Sequence, residues 1–241
     1  MNLHRHIDTN FDFRSDTPGY PKKDPDADSP TLRQYHKLLW SKLLPNGERF
    51  ELVDTTPRVY LHHCSRLGEF WLVSDAVVPS FRKEASLSDV IESMPEELEA
   101  FMRIGYTIGA IMVFPGQRIG RRMTINGARG FHPRIKDRFD LTVECIRRHY
   151  VNEDSPLRDV LERYADFFRL FGDFQGYVDF FLLQDLVTDV GSSVKFFAPF
   201  DDFKSSPVPD GMTSYMSYRA RAIGFIEARN ERISAWWADH S

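Results

Sequence analysis

The spacing of apolar positions changes character along the chain, and each change predicts an element. In TLRQYHKLLWSK (31–42) and the residue that follows, Leu32, Tyr35, Leu39 and Leu43 recur at helical spacing. Ser29 suits the N-cap of that helix, Pro30 its first position, and Pro45-Asn46-Gly47 its stop. Two apolar runs follow, VYLHHCS (59–65) and FWLVSDAVV (70–78), joined by Arg66-Leu67-Gly68-Glu69, which predicts a hairpin covered on both faces. Ser86 or Ser88 caps a short helix, and Pro95 opens another, PEELEAFMRIG, with its acids in the first turn. YTIGAIMVF (106–114) reads as a buried strand broken by Gly109. Pro115-Gly116 turns it, and residues 123–126 return as a partner strand.

The second half is helical. Ile135, Phe139, Val143 and Ile146 predict a helix over about 133–149, with Lys136, Asp140, Glu144 and Arg147 on the opposite side. Ser155-Pro156 opens PLRDVLERYADFFRLF, and Gly172 ends it. DFQGYVDFFLLQDLV gives a further helix with Tyr177, Phe181 and Leu182 inward, and residues 194–197 a short strand. A long helix spans about 213–238. Strands thus gather in the first 130 residues and helices after them, which predicts an α+β fold with a mixed or antiparallel sheet. The expected organisation is one domain over 1–241, with residues 1–28 as an extended N-terminal arm anchored by Phe11, Phe13 and Tyr20.

Composition adds a large aromatic core and removes several classes. The 241 residues include 20 phenylalanines, and aromatics make up 14% of the chain, each buried ring removing roughly 150–250 Å² from water. A net charge of -4 argues against non-specific coating of nucleic acid. The two cysteines, Cys64 and Cys145, sit in apolar-rich segments and read as buried free thiols rather than a disulfide framework. MNLHRHIDTNFDF lacks the apolar region of a signal peptide, and no apolar run reaches the roughly 20 residues of a bilayer span, so a cytoplasmic location with no membrane partner is expected.

Charge is distributed unevenly. Between Gln117 and Arg138 lie Arg118, Arg121, Arg122, Arg129, Arg134, Lys136 and Arg138 against one acid, Asp137. Guanidinium forks suit phosphate or carboxylate, and Gly127 and Gly130 beside Arg129 would let a ligand approach the backbone. The candidate ligand-binding set is therefore Arg129, Asn126, Gly127, Gly130, Arg121, Arg122 and, from the N-terminal arm, Arg14. The alternative for Arg118, Arg121 and Arg122 is a solvated, charged sheet edge. His36 and His132 are the acid/base candidates by type, with Asp16 beside Arg14 as a third or as a turn ion pair. No phosphate loop, dinucleotide fingerprint, G-x-S-x-G elbow or H-E-x-x-H pair occurs, so no cofactor is named and no metal site is expected. The triplet Asp24, Asp26, Asp28 lacks the glycine and glutamate of a calcium loop, with Ser29 and Tyr35 in their places.

FDFRSDTP, SPTLRQYHKLLWSK, TINGARGF, DRFDLTVECIRRHY, GYVDFFLLQDLV and VKFFAPFDDF resemble segments of an uncharacterised bacterial family, a domain of unknown function, over nearly the whole chain. That resemblance implies a bacterial, non-secreted protein and carries no activity, cofactor or site residue with it. From the residues themselves three readings stand. One is an enzyme acting on a phosphate-bearing small molecule such as a nucleotide. Another is a nucleic-acid-binding or accessory protein, as in a defence or toxin system. The third is an interaction module, a homodimer formed through the Ile223, Ile226, Ile233 and Trp237 face of the last helix.

Overall fold

The computed structural model describes residues 6–54, 60–188 and 193–240. Among them a three-stranded antiparallel sheet, in the order β1-β2-β3, is built from β1 (Leu61–Ser65), β2 (Gly68–Ala76) and β3 (Ile111–Pro115). The β1–β2 hairpin pairs Leu61 with Leu72 and His63 with Phe70, and β2 then pairs Leu72 with Pro115 and Ala76 with Ile111. The helices are α1 (Pro25–Asp28), α2 (Pro30–Trp40), α3 (Ser88–Glu92), α4 (Pro95–Gly105) and α5 (Ile125–Phe131), then α6 (Phe139–Tyr150), α7 (Arg158–Arg163), α8 (Ala165–Arg169), α9 (Phe174–Phe180) and α10 (Met212–His240). A sheet packed with helices makes this an α+β fold.

Local chemistry accounts for the best-defined ends. The Ser29 hydroxyl accepts from the Leu32 N–H at 3.1 Å and donates to Asp16 at 2.6 Å, while Pro30 takes the first helical position of α2. Asp24 caps α1 in the same way by accepting from the Asp26 N–H, and Asp173 caps α9 at Gly176. The edge strand β3 is buried along its whole length, and α10 lies over its entry. There Asn230 accepts the Gly109 N–H, and a Cβ on Gly109 would come within 2.6 Å of the Ile226 carbonyl. Only glycine permits that approach.

The fold departs from the sequence expectation in six places. Residues 123–126 are not a return strand: Thr124 accepts from the Gly127 N–H, and the chain enters α5. The helix expected over 133–149 begins at Phe139, because Lys136 and Asp137 both take positive φ and hold the chain in a turn. The expected helix after Pro156 is divided at Tyr164 into α7 and α8, and the next one ends at α9, with Leu182 at φ +54. Residues 194–197 contribute one bridge, Val187 to Val194, rather than a strand. Last, the polar side of α6 is not solvated. Asp140 and Glu144 are buried and meet Arg138, Arg147 and Arg148.

Two further expectations change with burial. Cys64 is exposed on β1, and only Cys145 is a buried thiol, pushed up to about 12 by burial. On α10, Ile226 and Ile233 are fully buried inside the same chain, while Ile223 and Trp237 of the same face are half-buried. No helix among the described residues is long and apolar enough to cross a membrane.

Candidate functional site

The segment that carried the most charge in the sequence divides into a surface loop and a buried anchor. Arg118, Arg121 and Arg122 lie exposed in the loop after β3, with Gly120 and Arg121 at positive φ. Among the described residues none of the three has an ion-pair partner. Arg129 is the opposite case. It is completely buried, Ile125 and Arg129 being one turn apart on the inward face of α5. Its guanidinium donates to Asp75, to the Asp137 carbonyl, to the Thr142 hydroxyl at 3.3 Å and to the Val77 carbonyl, and lies 3.3 Å from the Asp137 carboxylate. Four of its five N–H groups thus donate hydrogen bonds, and the ion pair with Asp137 adds to them. Arg129 cannot clamp a ligand phosphate without abandoning the core.

What Arg129 does instead is fix two carboxylates. Asp75 projects from β2, where it interrupts the apolar run, and keeps 27% of its side-chain exposure. Burial pushes its carboxyl up to about 6, against the downward pull of Arg129. Asp137 is clasped from both sides: its N–H donates to the Arg129 carbonyl at 3.1 Å, and its own carbonyl accepts from the Arg129 guanidinium. Its side chain is still 43% exposed. Gly130 makes this possible, since a Cβ there would meet the Asp137 carboxylate at 3.1 Å. Behind Asp75 lies Asp26, whose Oδ2 accepts the Ala76 N–H at 2.7 Å while Oδ1 is buried without a partner. Burial, then repulsion from Asp75, holds the Asp26 carboxyl well above its usual range.

Asp137 and Gly130 line a cleft of about 520 Å³. Its other walls are the end of β2 and the chain after it (Ala76 and Val78–Glu84), the C-terminal end of α4 with Tyr106, and Phe131 and Lys136. Three non-glycine residues of this lining, Phe81 (φ +58), Lys136 (φ +47) and Asp137 (φ +62), hold left-handed backbone. For L side chains that costs on the order of 1–3 kcal/mol each, and such strain gathers at sites of function. Lys136 ties the two walls together by reaching Glu84 at 3.0 Å. Arg82 and Lys83 project from the strained loop, exposed, and among the described residues neither has an ion-pair partner. Phe131, at the end of α5, is 80% exposed.

The remaining sequence candidates lie elsewhere. His36 is fully buried; its Nδ1 is 2.9 Å from the Tyr60 hydroxyl and its Nε2 has no partner. Burial, then Arg229, pulls it down to about 3, so it is neutral at pH 7 and cannot trade protons there. His132 ends α5 and accepts the Arg134 N–H on Nδ1. Asp16 holds the start of α2 through Ser29 and the Thr31 N–H, and Arg14 is paired with Asp12 and Glu99 rather than Asp16. Asn126 reaches the Ser74 carbonyl at 3.4 Å, with its Oδ1 buried and unpartnered. Gly127 is an ordinary helical residue of α5, and a Cβ there would make only ordinary contacts. Among the described residues no three His, Cys, Asp or Glu side chains are grouped to hold a metal ion.

Sequence reasoning had passed over Arg82, Lys83, Phe131, Asp75 and Asp137. One signal was available. Asp75 is the lone acid inside the apolar strand FWLVSDAVV, and an acid partly withdrawn from water there is stabilised by a cation, which Arg129 supplies.

The model of a family of unknown function (DUF6994) matches residues 7–233. The chain belongs to that family. No curated protein and no solved structure matches it. The match runs from the segment before α1 to well inside α10, so the sheet, the Arg129 anchor and the strained cleft all fall within the family's extent.

Proposed function

We propose that this DUF6994 protein is an enzyme acting on a phosphate-bearing small molecule, such as a nucleotide, bound in the cleft between the Phe81–Glu84 loop and the Phe131–Asp137 turn. The observation that carries this reading is the convergence of two unpaired cations, Arg82 and Lys83, an exposed ring, Phe131, and three strained residues on one cavity. Arg82 and Lys83 take the phosphates, Phe131 stacks on the base, and Asp137 is the acid/base candidate. Arg129 acts through Asp137, as a positioning residue beneath the floor. The anion site is thus next to the glycine-bounded arginine of the sequence rather than on it.

A thermal-shift and titration series with nucleotides and sugar phosphates tests this. A ligand at about a hundred times its Kd adds ~2.7 kcal/mol, a rise of roughly 5–11 °C for a chain of this size. The double variant Arg82→Ala/Lys83→Ala should keep the wild-type melting temperature and lose that rise. If no ligand shifts the wild type, or the double variant shifts equally, the site is wrong. One observation favours a second reading: Arg118, Arg121 and Arg122 are exposed and unpaired among the described residues, as a nucleic-acid contact would require. Retained shifts in Arg82→Ala/Lys83→Ala, with salt-dependent RNA or DNA binding lost in Arg121→Ala/Arg122→Ala, would favour it.

A further inference from the structure

Arg229 is fully buried on α10, and among the described residues it makes no ion pair. The other buried arginines do: Arg129 with Asp75, Arg138 with Asp140 and Arg219 with Glu97. A buried charge is costly unless it is paired. The Arg229 donors go to neutral acceptors instead. Nη1 reaches the Gly109 and Ile111 carbonyls at 3.0 and 3.2 Å, and Nη2 the Phe181 carbonyl at 3.1 Å and the Met112 sulfur at 3.0 Å, while Nε is buried without a partner. Asp185, an acid that acts on it from a distance, is committed to Arg232 through two hydrogen bonds of 2.7 Å. Burial pulls the guanidinium down to about 9, which still leaves it charged at pH 7.

Three more buried polar atoms without partners lie around Arg229. The Trp40 ring is 5.9 Å from the guanidinium carbon, and its Nε1 is one of them. His36 Nε2 is another, one turn before Trp40 on the buried face of α2. The third is the Tyr177 hydroxyl, one turn before the Phe181 whose carbonyl holds Arg229. Trp40 and Tyr177 both pack on the Phe181 ring, at 5.3 and 4.9 Å, and Arg229 is the charge that both His36 and Tyr177 feel most. The protons on these atoms decide what they can hold. Trp40 Nε1 and Arg229 Nε can only donate. With the Tyr60 hydroxyl donating to His36 Nδ1 at 2.9 Å, the ring proton sits on Nε2, which makes it a donor as well. The Tyr177 hydroxyl supplies a fourth. Four donors beside an uncompensated positive charge suit an anion better than a water molecule, which accepts two hydrogen bonds and brings no charge.

We propose that Arg229, Trp40, Tyr177 and His36 form a buried site for a monovalent anion of halide size, chloride in ordinary salt. The anion accepts from Arg229 Nε, Trp40 Nε1, the Tyr177 hydroxyl and His36 Nε2, and it neutralises the arginine that the fold leaves without a carboxylate. The four side chains come from α2, α9 and α10, so the ion ties those helices together and acts on stability. None of them lines the proposed phosphate cleft, and the two sites are independent.

The experiment is a set of melting curves for the whole protein at fixed ionic strength, with sodium gluconate replaced stepwise by sodium chloride or sodium bromide. Unfolding destroys the site, so the melting temperature reports binding even when exchange in the folded state is slow. Chloride should raise it along a saturating curve, by roughly 3–6 °C at ten times the half-saturating concentration, and bromide should do the same. Tyr177→Phe deletes a single oxygen. It should lower the melting temperature in chloride but not in gluconate, where it removes only a buried hydroxyl without a partner. Trp40→Phe should raise the half-saturating chloride concentration about tenfold or more, as expected for one lost hydrogen bond to a charged group. A wild-type melting temperature no higher in chloride than in gluconate would overturn the proposal, because an ordered water would serve the site equally in both salts. So would a Tyr177→Phe effect of the same size in the two.

Discussion

Replacing Arg129 by methionine separates its two possible roles more sharply than any ligand assay. If Arg129 were a ligand clamp, its loss would weaken binding and leave stability within about 0.5 kcal/mol, as for other surface changes. The structure predicts the reverse. The substitution removes four donated hydrogen bonds and the Asp137 ion pair from a fully buried site and leaves the Asp75 carboxylate among acidic neighbours, Asp26 and Asp137. Breaking a buried pair by removing one partner costs ~3–5 kcal/mol, a large part of the roughly 5–15 kcal/mol that a domain has. For a chain of this length that corresponds to a fall of roughly 6–20 °C in melting temperature. Urea titration followed by tryptophan fluorescence measures the loss directly, with the slope expected to stay unchanged. Adding Asp75→Asn to Arg129→Met removes the stranded charge and should restore about half of the deficit. A loss below about 1 kcal/mol, or no recovery in the double variant, would refute the anchor role.

Two further outcomes follow from burial of single groups. Asp26 has its carboxyl raised by burial and repulsion, so the folded state holds that proton more tightly than the unfolded chain does. Stability should therefore fall as pH rises above the unfolded value near 4, and Asp26→Asn, which keeps an acceptor for the Ala76 N–H, should flatten that slope and be neutral or stabilising at pH 8. Native protein should titrate one fast thiol with a disulfide reagent, Cys64, and two in urea; a second fast thiol in the folded protein would contradict the burial of Cys145.

Much of the framework was legible because it rests on local rules. Ser29-Pro30 starts α2, Pro95 starts α4 with Glu96 and Glu97 in its first turn, and the hairpin lies where two apolar runs meet Gly68. The long α10 was placed within two residues at either end. The failures share a physical cause, which is that pattern reading sends every charge outward. In this protein Arg129, Asp140 and Arg229 are buried and reach partners far away in sequence, while the buried Glu144 pairs with Arg147 and Arg148 of its own helix. Arg229 shows how far this goes. It sits within the Ile226–Ile233 stripe of α10 and donates to the carbonyls of Gly109, Ile111 and Phe181, with Met112 sulfur as a fourth acceptor. Nothing local in the sequence distinguishes it from a solvated arginine.

The same buried charges explain why the strained cleft lies beside the arginine that the sequence singles out. A loop can hold Phe81, Lys136 and Asp137 in left-handed backbone only if something else makes that arrangement the best available. Arg129 supplies it, since it binds the Asp137 carbonyl and carboxylate while Asp75 holds the guanidinium from the sheet side. The acids and the arginine thus convert core stability into a fixed turn, and that turn presents Asp137 and Phe131 to the cleft beside Arg82 and Lys83. Sequence reading identified the arginine because it is the charged residue between two glycines, and assigned it the ligand. The structure instead gives Arg129 the work of holding the turn, and the function proposed above gives the ligand to its unpaired neighbours Arg82 and Lys83. That division predicts separable phenotypes: Arg129→Met loses stability first, whereas Arg82→Ala/Lys83→Ala loses binding with the fold intact.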